Sequence, residues 1–263
     1  MNAKFPYIGI TDFMSSEQSR EMANFFENAI KKYTQPIRHK LMVGVVSLHE
    51  TLNDLPSEWT DAVPKNGLIA DIFIDHSLLL NTIHYVDLEG IDIFANLKKI
   101  TELGGKYMHA LQLDMVWPDP MLIKQYRNQF PQIQIILQVN TPAFELLNDL
   151  NEDLVRKIAD YGSAIDCVLL DKSMGKGLRM DNAFLRPLLK TIQEKLPNIS
   201  LAVAGGLGPK SLNLVEPLTK EFPNLCIDAE ANLRSSKDSR DPIDWSLAEE
   251  YVKKALDLFY VQN

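Results

Sequence analysis

Asp171 ends an apolar run, Cys167-Val-Leu-Leu170, and a glycine turn, Gly175-Lys-Gly177, follows within a few residues. The pattern recurs at Leu225-Cys-Ile-Asp228, with Glu230 two residues on, and a glycine pair, Gly205-Gly206, closes the run at 199–204. In a parallel barrel the chemistry sits at the C-terminal ends of the strands, so a carboxylate delivered there is placed as an acid or a base would be. Paired glycines let a backbone approach a ligand, because no Cβ intervenes. Other runs end alike, at Thr11-Asp12, His49-Glu50, Asp87, Asp114 and Asn140. Carboxylates gathered at one mouth raise one another's pKa, since close like charges do not both ionise cheaply. Such a mouth suits proton transfer, a divalent cation or a cationic substrate. Each residue alone reads equally as a helix cap facing water. As a set they point to a pocket, with His49, Asp87, Asp114 and Glu230 around its rim.

The elements that must hold these residues alternate along the chain. Strand-like runs at 7–11, 41–46, 83–86, 109–113, 133–139, 166–170, 199–204 and 225–228 are separated by helix-like stretches, the pattern of a parallel α/β fold. Ser15 with Gln18 three residues on forms a capping box, and Met22, Phe25, Phe26, Ala29, Ile30 and Tyr33 then share one helical face. Further helices are expected at 91–103, 120–130, 154–161, 182–196, 210–222 and 244–260. The stretch 48–81 breaks the rhythm with Pro56, Pro64 and Gly67, and reads as an insertion: a long loop with a short helix near 69–74. Ile8, Ile10, Val43, Val45, Leu111, Leu113, Ile135, Leu137, Val168, Leu170, Leu201, Val203 and Ile227 are expected to divide between the barrel interior and the helix layer. His84 and His109, alone in their strands, read as core histidines.

The chain has 263 residues, and one (β/α)8 barrel takes about 250, so residues 1–263 are read as a single barrel. A net charge of −8 with no block of Lys or Arg argues against nucleic acid and anionic membrane surfaces as partners. No run approaches the roughly 18 apolar residues of a membrane span. Residues 1–13 hold one lysine and no sustained apolar stretch, so no secretory signal is expected and the cytoplasm is the default location. Cys167 and Cys226 lie in buried runs and read as small core residues, with no disulfide or metal role. No metal or cofactor is expected.

In order and spacing, the three C-terminal segments resemble the phosphoribosylanthranilate isomerase family. Its pattern is approximately LLD…GTGxxFD, then LAGGL, then VDxSSGVE…KD. Here Gly175-Lys-Gly-Leu-Arg-Met-Asp181, Ala204-Gly-Gly-Leu207, Ile227-Asp228 and Arg240-Asp241 correspond, and Tyr7-Ile-Gly-Ile-Thr11 resembles the KICGIT opening. The resemblance implies a TIM barrel of the ribulose-phosphate-binding type and a small phosphorylated substrate. It also implies an Amadori rearrangement, the aldose-to-ketose isomerisation of an aminosugar phosphate. It makes Asp171 the general acid and assigns Gly175, Gly177, Gly205, Gly206, Ala231 and Asn232 to substrate and phosphate binding.

The chain also departs from the family. The cysteine that serves as base corresponds to Ile8, which leaves Asp12 and Asp228 as the first candidates. The Ser-Ser-Gly phosphate turn corresponds to Glu230, Ala231 and Asn232, and a glutamate repels a phosphate dianion. The family's arginine after the second strand has no counterpart in 48–53, and its histidine after the fourth strand is Asp114. Three readings follow: an isomerase of a sugar phosphate, a barrel with a different and metal-assisted reaction, or a non-catalytic metabolite-binding relative.

Overall fold

The computed structural model describes residues 6–171 and 180–261. Eight strands, β1 (Tyr7–Thr11), β2 (Lys40–Leu48), β3 (Leu79–Asp87), β4 (Ala110–Met115), β5 (Gln134–Val139), β6 (Cys167–Leu170), β7 (Ser200–Val203) and β8 (Cys226–Ala229), close into a barrel in sequence order. Every pairing is parallel, and β1 meets β8 from Ile8↔Ile227 to Ile10↔Ala229. The helices are α1 (Ser16–Ile30), α2 (His49–Leu52), α3 (Ile69–Ile72), α4 (Ile93–Gly104), α5 (Pro120–Gln129), α6 (Thr141–Glu145), α7 (Glu152–Tyr161), α8 (Asn182–Lys195), α9 (Glu216–Thr219) and α10 (Trp245–Tyr260). This is the (β/α)8 architecture expected from the alternation. The Ser15–Gln18 capping box opens α1 as expected, and Gly105 in a positive-φ conformation ends α4.

Two faces of the strands have different jobs. Ile8, Ile10, Val43, Val45, Leu111, Leu113, Ile135, Leu137, Val168, Leu170, Leu201, Val203 and Ile227 all belong to one buried cluster with helix residues such as Phe26, Leu97 and Leu189. They do not divide between two faces, as expected from sequence; all thirteen face the helices. The reason is the period of a strand: these positions share one parity within each strand, so they share one side. The opposite parity lines the lumen. At its N-terminal end Tyr7, Met42, Leu80, Ala110, Ile136, Cys167, Leu169, Ala202 and Cys226 form a separate apolar plug. Both cysteines are buried there as thiols, outside any disulfide. Above the plug the lumen turns polar, at Thr11, Thr82, His84, Gln112, Gln138 and Asp228, all buried.

Two stretches differ from expectation. β2 and β3 extend in register from Leu41↔Leu79 to Leu48↔Val86, so strand pairing claims residues read as loop. Between them, Trp59 and Val63 pack on Val46, Leu48 and Val86, capping the β2–β3 side of the mouth with apolar surface. The helix expected over 210–222 shrinks to a 3-10 turn at Leu212–Leu214 and the single turn α9. Leu212, Leu214, Val215, Leu218 and Phe222 are nonetheless buried, so the apolar pattern is satisfied by packing in a chain that Pro209 and Pro217 interrupt.

Candidate active site

The polar part of the lumen opens into a cavity of about 30 Å³, room for about two waters. Asp171, Gly205, Gly206, Asp228, Glu230, Ala231 and Asn232 line it, together with His84, Gln112 and Gln138. These residues come from β3 to β8 and the loops after them, and they meet because each strand presents alternate residues inward.

Asp228 is the best defined. The Thr11 hydroxyl donates to its Oδ1 at 3.2 Å, and the carboxylate lies over Gly9. A Cβ at position 9 would fall 2.6 Å from Asp228 Oδ1 and 2.8 Å from Met42 Cε, so the glycine makes room for the acid. Burial pushes the Asp228 carboxyl up to about 7; His84 and the Thr11 hydrogen bond pull against it, while Glu230 and Asp171 add to it. Glu230 is also raised to about 7, by desolvation and then by Asp12, against His84, Arg234 and a hydrogen bond from Ser239. His84 responds in the opposite sense. Burial lowers it, but Asp114, 3.6 Å away, with Glu230 and Asp228 outweighs burial and raises His84 to about 9. At neutral pH the lumen therefore holds an imidazolium beside carboxyls poised to gain or lose a proton, titrating as one coupled group.

Asp171 follows β6, its N–H donating to the Val139 carbonyl at 3.0 Å. Gln138 Nε2 approaches Asp171 Oδ2 at 3.5 Å, and Gln112 Nε2 donates to Gln138 Oε1 at 2.8 Å. Asp114 stands behind His84 and accepts from Asn140 Nδ2 at 2.7 Å, while Asn140 Oδ1 caps α6 through Ala143 N.

Gly205 and Gly206 adopt φ of 113° and 61°, the region only glycine enters cheaply. The Gly206 carbonyl accepts from Ser211 Oγ at 2.7 Å and Asn232 Nδ2 at 2.6 Å, which ties the loop after β7 to the loop after β8. Beyond this tie lies a groove of about 620 Å³ lined by Lys210, Ser211, Asn213, Asn232, Ser235 and Lys237. It shares Gly206 and Asn232 with the lumen cavity, so the two lie on either side of that tie. Glu230 lines the cavity together with Gly205, Gly206, Ala231 and Asn232 and is not part of the groove lining.

Several candidates stand elsewhere. Asp12 is ion-paired with the buried Arg234, which also donates to the Glu230 carbonyl at 2.8 Å. Burial raises Asp12 and Arg234 opposes that; its carboxylate joins loops and does not line the cavity. Asp87 accepts from the backbone N–H groups of Glu89 and Gly90 and from the Tyr85 hydroxyl, with His49 Nδ1 3.6 Å away. His49 and Asp87 thus form their own cluster outside the cavity lining. Ile8 points at the helices, so a thiol at that position would not reach the lumen. Gly175 and Gly177 lie outside the described residues. His109 accepts from Asn81 N at 3.0 Å and is structural, as expected.

Sequence reasoning missed His84, Gln112 and Gln138. The signal was present: polar residues at 82 and 84, 112 and 114, and 138 and 140 recur with period two on successive strands, marking a polar inner face. Among the described residues no three His, Cys, Asp or Glu side chains are grouped as a metal ion requires, and no helix is long and apolar enough to cross a membrane.

These features define a (β/α)8 barrel whose polar, acid-lined site occupies the C-terminal end of the strands. Neither a family model nor a curated protein matches the sequence. Among solved structures the chain is similar to QR15, an aldolase, at 13% identity over 96% of each chain with a TM-score of 0.57. It is also similar to the catalytic domain of a hyperthermophilic chitinase from Pyrococcus furiosus, at 9% identity over 97% of each chain and a TM-score of 0.55. Ribulose-1,5-bisphosphate carboxylase/oxygenase from Pyrococcus horikoshii matches at 13% identity and a TM-score of 0.53, over 98% of this chain and 64% of that one. At these identities the likeness is one of fold.

Proposed function

We propose that the chain is an acid–base enzyme that isomerises a small phosphorylated aldose or aminosugar to the ketose, in the manner of the phosphoribosylanthranilate isomerases it resembles. One observation carries the reading. Asp171 and Asp228 face a common cavity from β6 and β8, Asp228 is poised near neutrality, and a lysine-flanked groove adjoins them through Gly206. The loops after strands seven and eight are where barrels of this fold hold phosphate, and Lys210, Lys237, Ser211 and the Gly206 backbone supply the charge and polar groups. The reacting end of the sugar then faces the mouth of the lumen, where Asp171 and Asp228 lie.

In this reading Asp171 donates a proton to the ring oxygen and opens the ring. Asp228 removes the proton from C2, the C–H pair forms the C1–C2 double bond and the C1 π pair moves onto its oxygen or nitrogen, where protonated His84 donates. Asp228 then returns a proton to C1 as the C2 hydroxyl gives up its own, which leaves the ketose. Asp228 replaces the cysteine base, whose position faces the helices here. The metal-assisted alternative has no ligand group among the described residues to support it.

The test is turnover of phosphorylated pentoses and N-substituted aminosugar phosphates to ketoses, by the wild type and by Asp171→Asn. The expected result is turnover of one of them, with kcat lowered about 10²- to 10⁴-fold in the variant. Equal turnover by wild type and Asp171→Asn would remove Asp171 from the reaction, and no turnover of any of them would end the isomerase reading.

A further inference from the structure

Three buried side chains on consecutive strands form a line across the lumen. Gln112 on β4 donates from Nε2 to Gln138 Oε1 on β5 at 2.8 Å, and Gln138 points Nε2 at Asp171 Oδ2 after β6 at 3.5 Å. All three line the cavity, and none is more than 6% exposed. At the far end Gln112 Oε1 is buried without a hydrogen-bond partner. Buried acceptors are otherwise almost always satisfied, by protein, water or ligand.

The donor–acceptor inventory fixes the direction of the line. An ionised carboxylate only accepts, so Gln138 must turn its NH₂ toward Asp171 and its carbonyl toward Gln112. Gln112 must then turn its NH₂ toward Gln138, and its carbonyl oxygen is left buried and unpaired at the end of the line. A protonated Asp171 can donate instead, which permits both amides to reverse and to offer NH₂ to the cavity.

We infer that Gln138 and Gln112 are positioning residues that hold Asp171 and form a relay, which presents an acceptor to the substrate when Asp171 is ionised and a donor when it is protonated. The ligand group that meets Gln112 in the ionised state is a hydroxyl or N–H donor. Its assignment to a sugar hydroxyl rests on the isomerase reading; the relay itself does not. Among the described residues, the charged groups across the lumen from Asp171 include His84 from β3, Asp114 from β4, and Asp228 and Glu230 from β8 and its following turn. Their fields act in every variant below, so a difference among the variants reports the amides.

The experiment is NMR on the full chain without substrate. The carboxyl carbon of Asp171, assigned by its loss in Asp171→Asn, is titrated alongside the side-chain amide signals of Gln112. In the wild type the Gln112 amide should move in step with Asp171. In Gln138→Leu the proton should bind Asp171 about tenfold more tightly, because a donor to the ionised form is gone, and the Gln112 amide should no longer follow it. Gln138→Met, which keeps length and loses the amide, guards against a packing effect of leucine and should behave alike. In Gln112→Leu the Asp171 titration should shift in the same direction by less. An Asp171 titration unchanged in both Gln138 variants, or a wild-type Gln112 amide indifferent to Asp171, would overturn the relay. Failure of sugar phosphate turnover with the coupled titration intact would count against the isomerase reading alone.

Discussion

Asp228 carries a conflict between function and stability that can be measured. Its carboxyl is raised to about 7 in the folded chain, against about 3.9 when unfolded. A raised carboxyl favours the folded state below the unfolded pKa, and that advantage is lost as pH rises through 7. At pH 8 the ionised, buried Asp228 therefore costs stability. Asp228→Asn should gain on the order of 2 kcal/mol in urea unfolding at pH 8, and little at pH 4. The same variant should lose isomerase activity; a variant that is destabilised at pH 8 would mean that His84 already compensates the charge. Gly9→Ala tests the same acid from its neighbour. The new methyl displaces the Asp228 carboxylate and Met42, so activity should fall at least tenfold in a chain that still folds, as read by circular dichroism. Asp171, Asp228 and Glu230 were legible in the sequence because each ends or follows an apolar run. His84 was not, because a single histidine in a strand has no period of its own. It becomes visible when the period-two polar positions at 82 and 84, 112 and 114, and 138 and 140 are compared across strands, and the register then puts them on one inner face.

At the scale of elements, the loops after β7 and β8 build the lysine-flanked groove by direct backbone contact. A Cβ on Gly208 would lie 2.9 Å from both the Cβ and the carbonyl oxygen of Asn232. Backbone cannot yield as a side-chain tip does, so Gly208→Ala should cost about 1–3 kcal/mol and weaken inorganic phosphate binding in calorimetry. Unchanged phosphate affinity would show that the groove does not depend on the tie. The opposite end of the barrel has a different device. His39 Nδ1 accepts from the Tyr260 hydroxyl at 2.6 Å and Nε2 faces the Leu225 carbonyl at 3.1 Å, pinning the end of α10 beneath the strands. Burial pushes His39 down to about 4, with the Leu225 carbonyl opposing. A lowered histidine binds its proton in the unfolded chain first, so its contribution is complete above about pH 6.5 and is lost as pH falls toward 4. Between those values the wild type should lose on the order of 2–3 kcal/mol relative to His39→Gln. Parallel pH profiles of the two chains in urea unfolding would contradict this. Neither device is visible in sequence, since His39 and Tyr260 are 221 residues apart. The capping box and the glycine stop were, because their partners are local.

Over the whole molecule, the alternation of runs pointed to a parallel α/β fold, and the count of eight strands with the order of the C-terminal motifs pointed to its closure; the strand order follows from parallel connections between neighbours. What the alternation did not give was the division of labour within each strand. Apolar residues of one parity form the wall against the helices, and the other parity changes along the axis from an apolar plug to a polar chamber. That change is the functional content of the fold. It separates stability, held by the plug and the helix layer, from chemistry, held by a few buried polar groups, and leaves the sites free to differ among barrels with similar scaffolds. The segment between β2 and β3 reinforces the separation by closing one side of the mouth with Trp59 and Val63.

The proposed function requires proton transfer at a sugar carbon by carboxylates in this chamber. Its most direct test is deuterium incorporation at C2 of a phosphorylated aldose bound by the chain in D₂O, followed by proton NMR. The wild type should exchange the C2 proton, and Asp228→Asn should do so about 100-fold or more slowly. Exchange at the same rate in both chains, or no exchange by a wild type that demonstrably binds the sugar phosphate, would contradict the account.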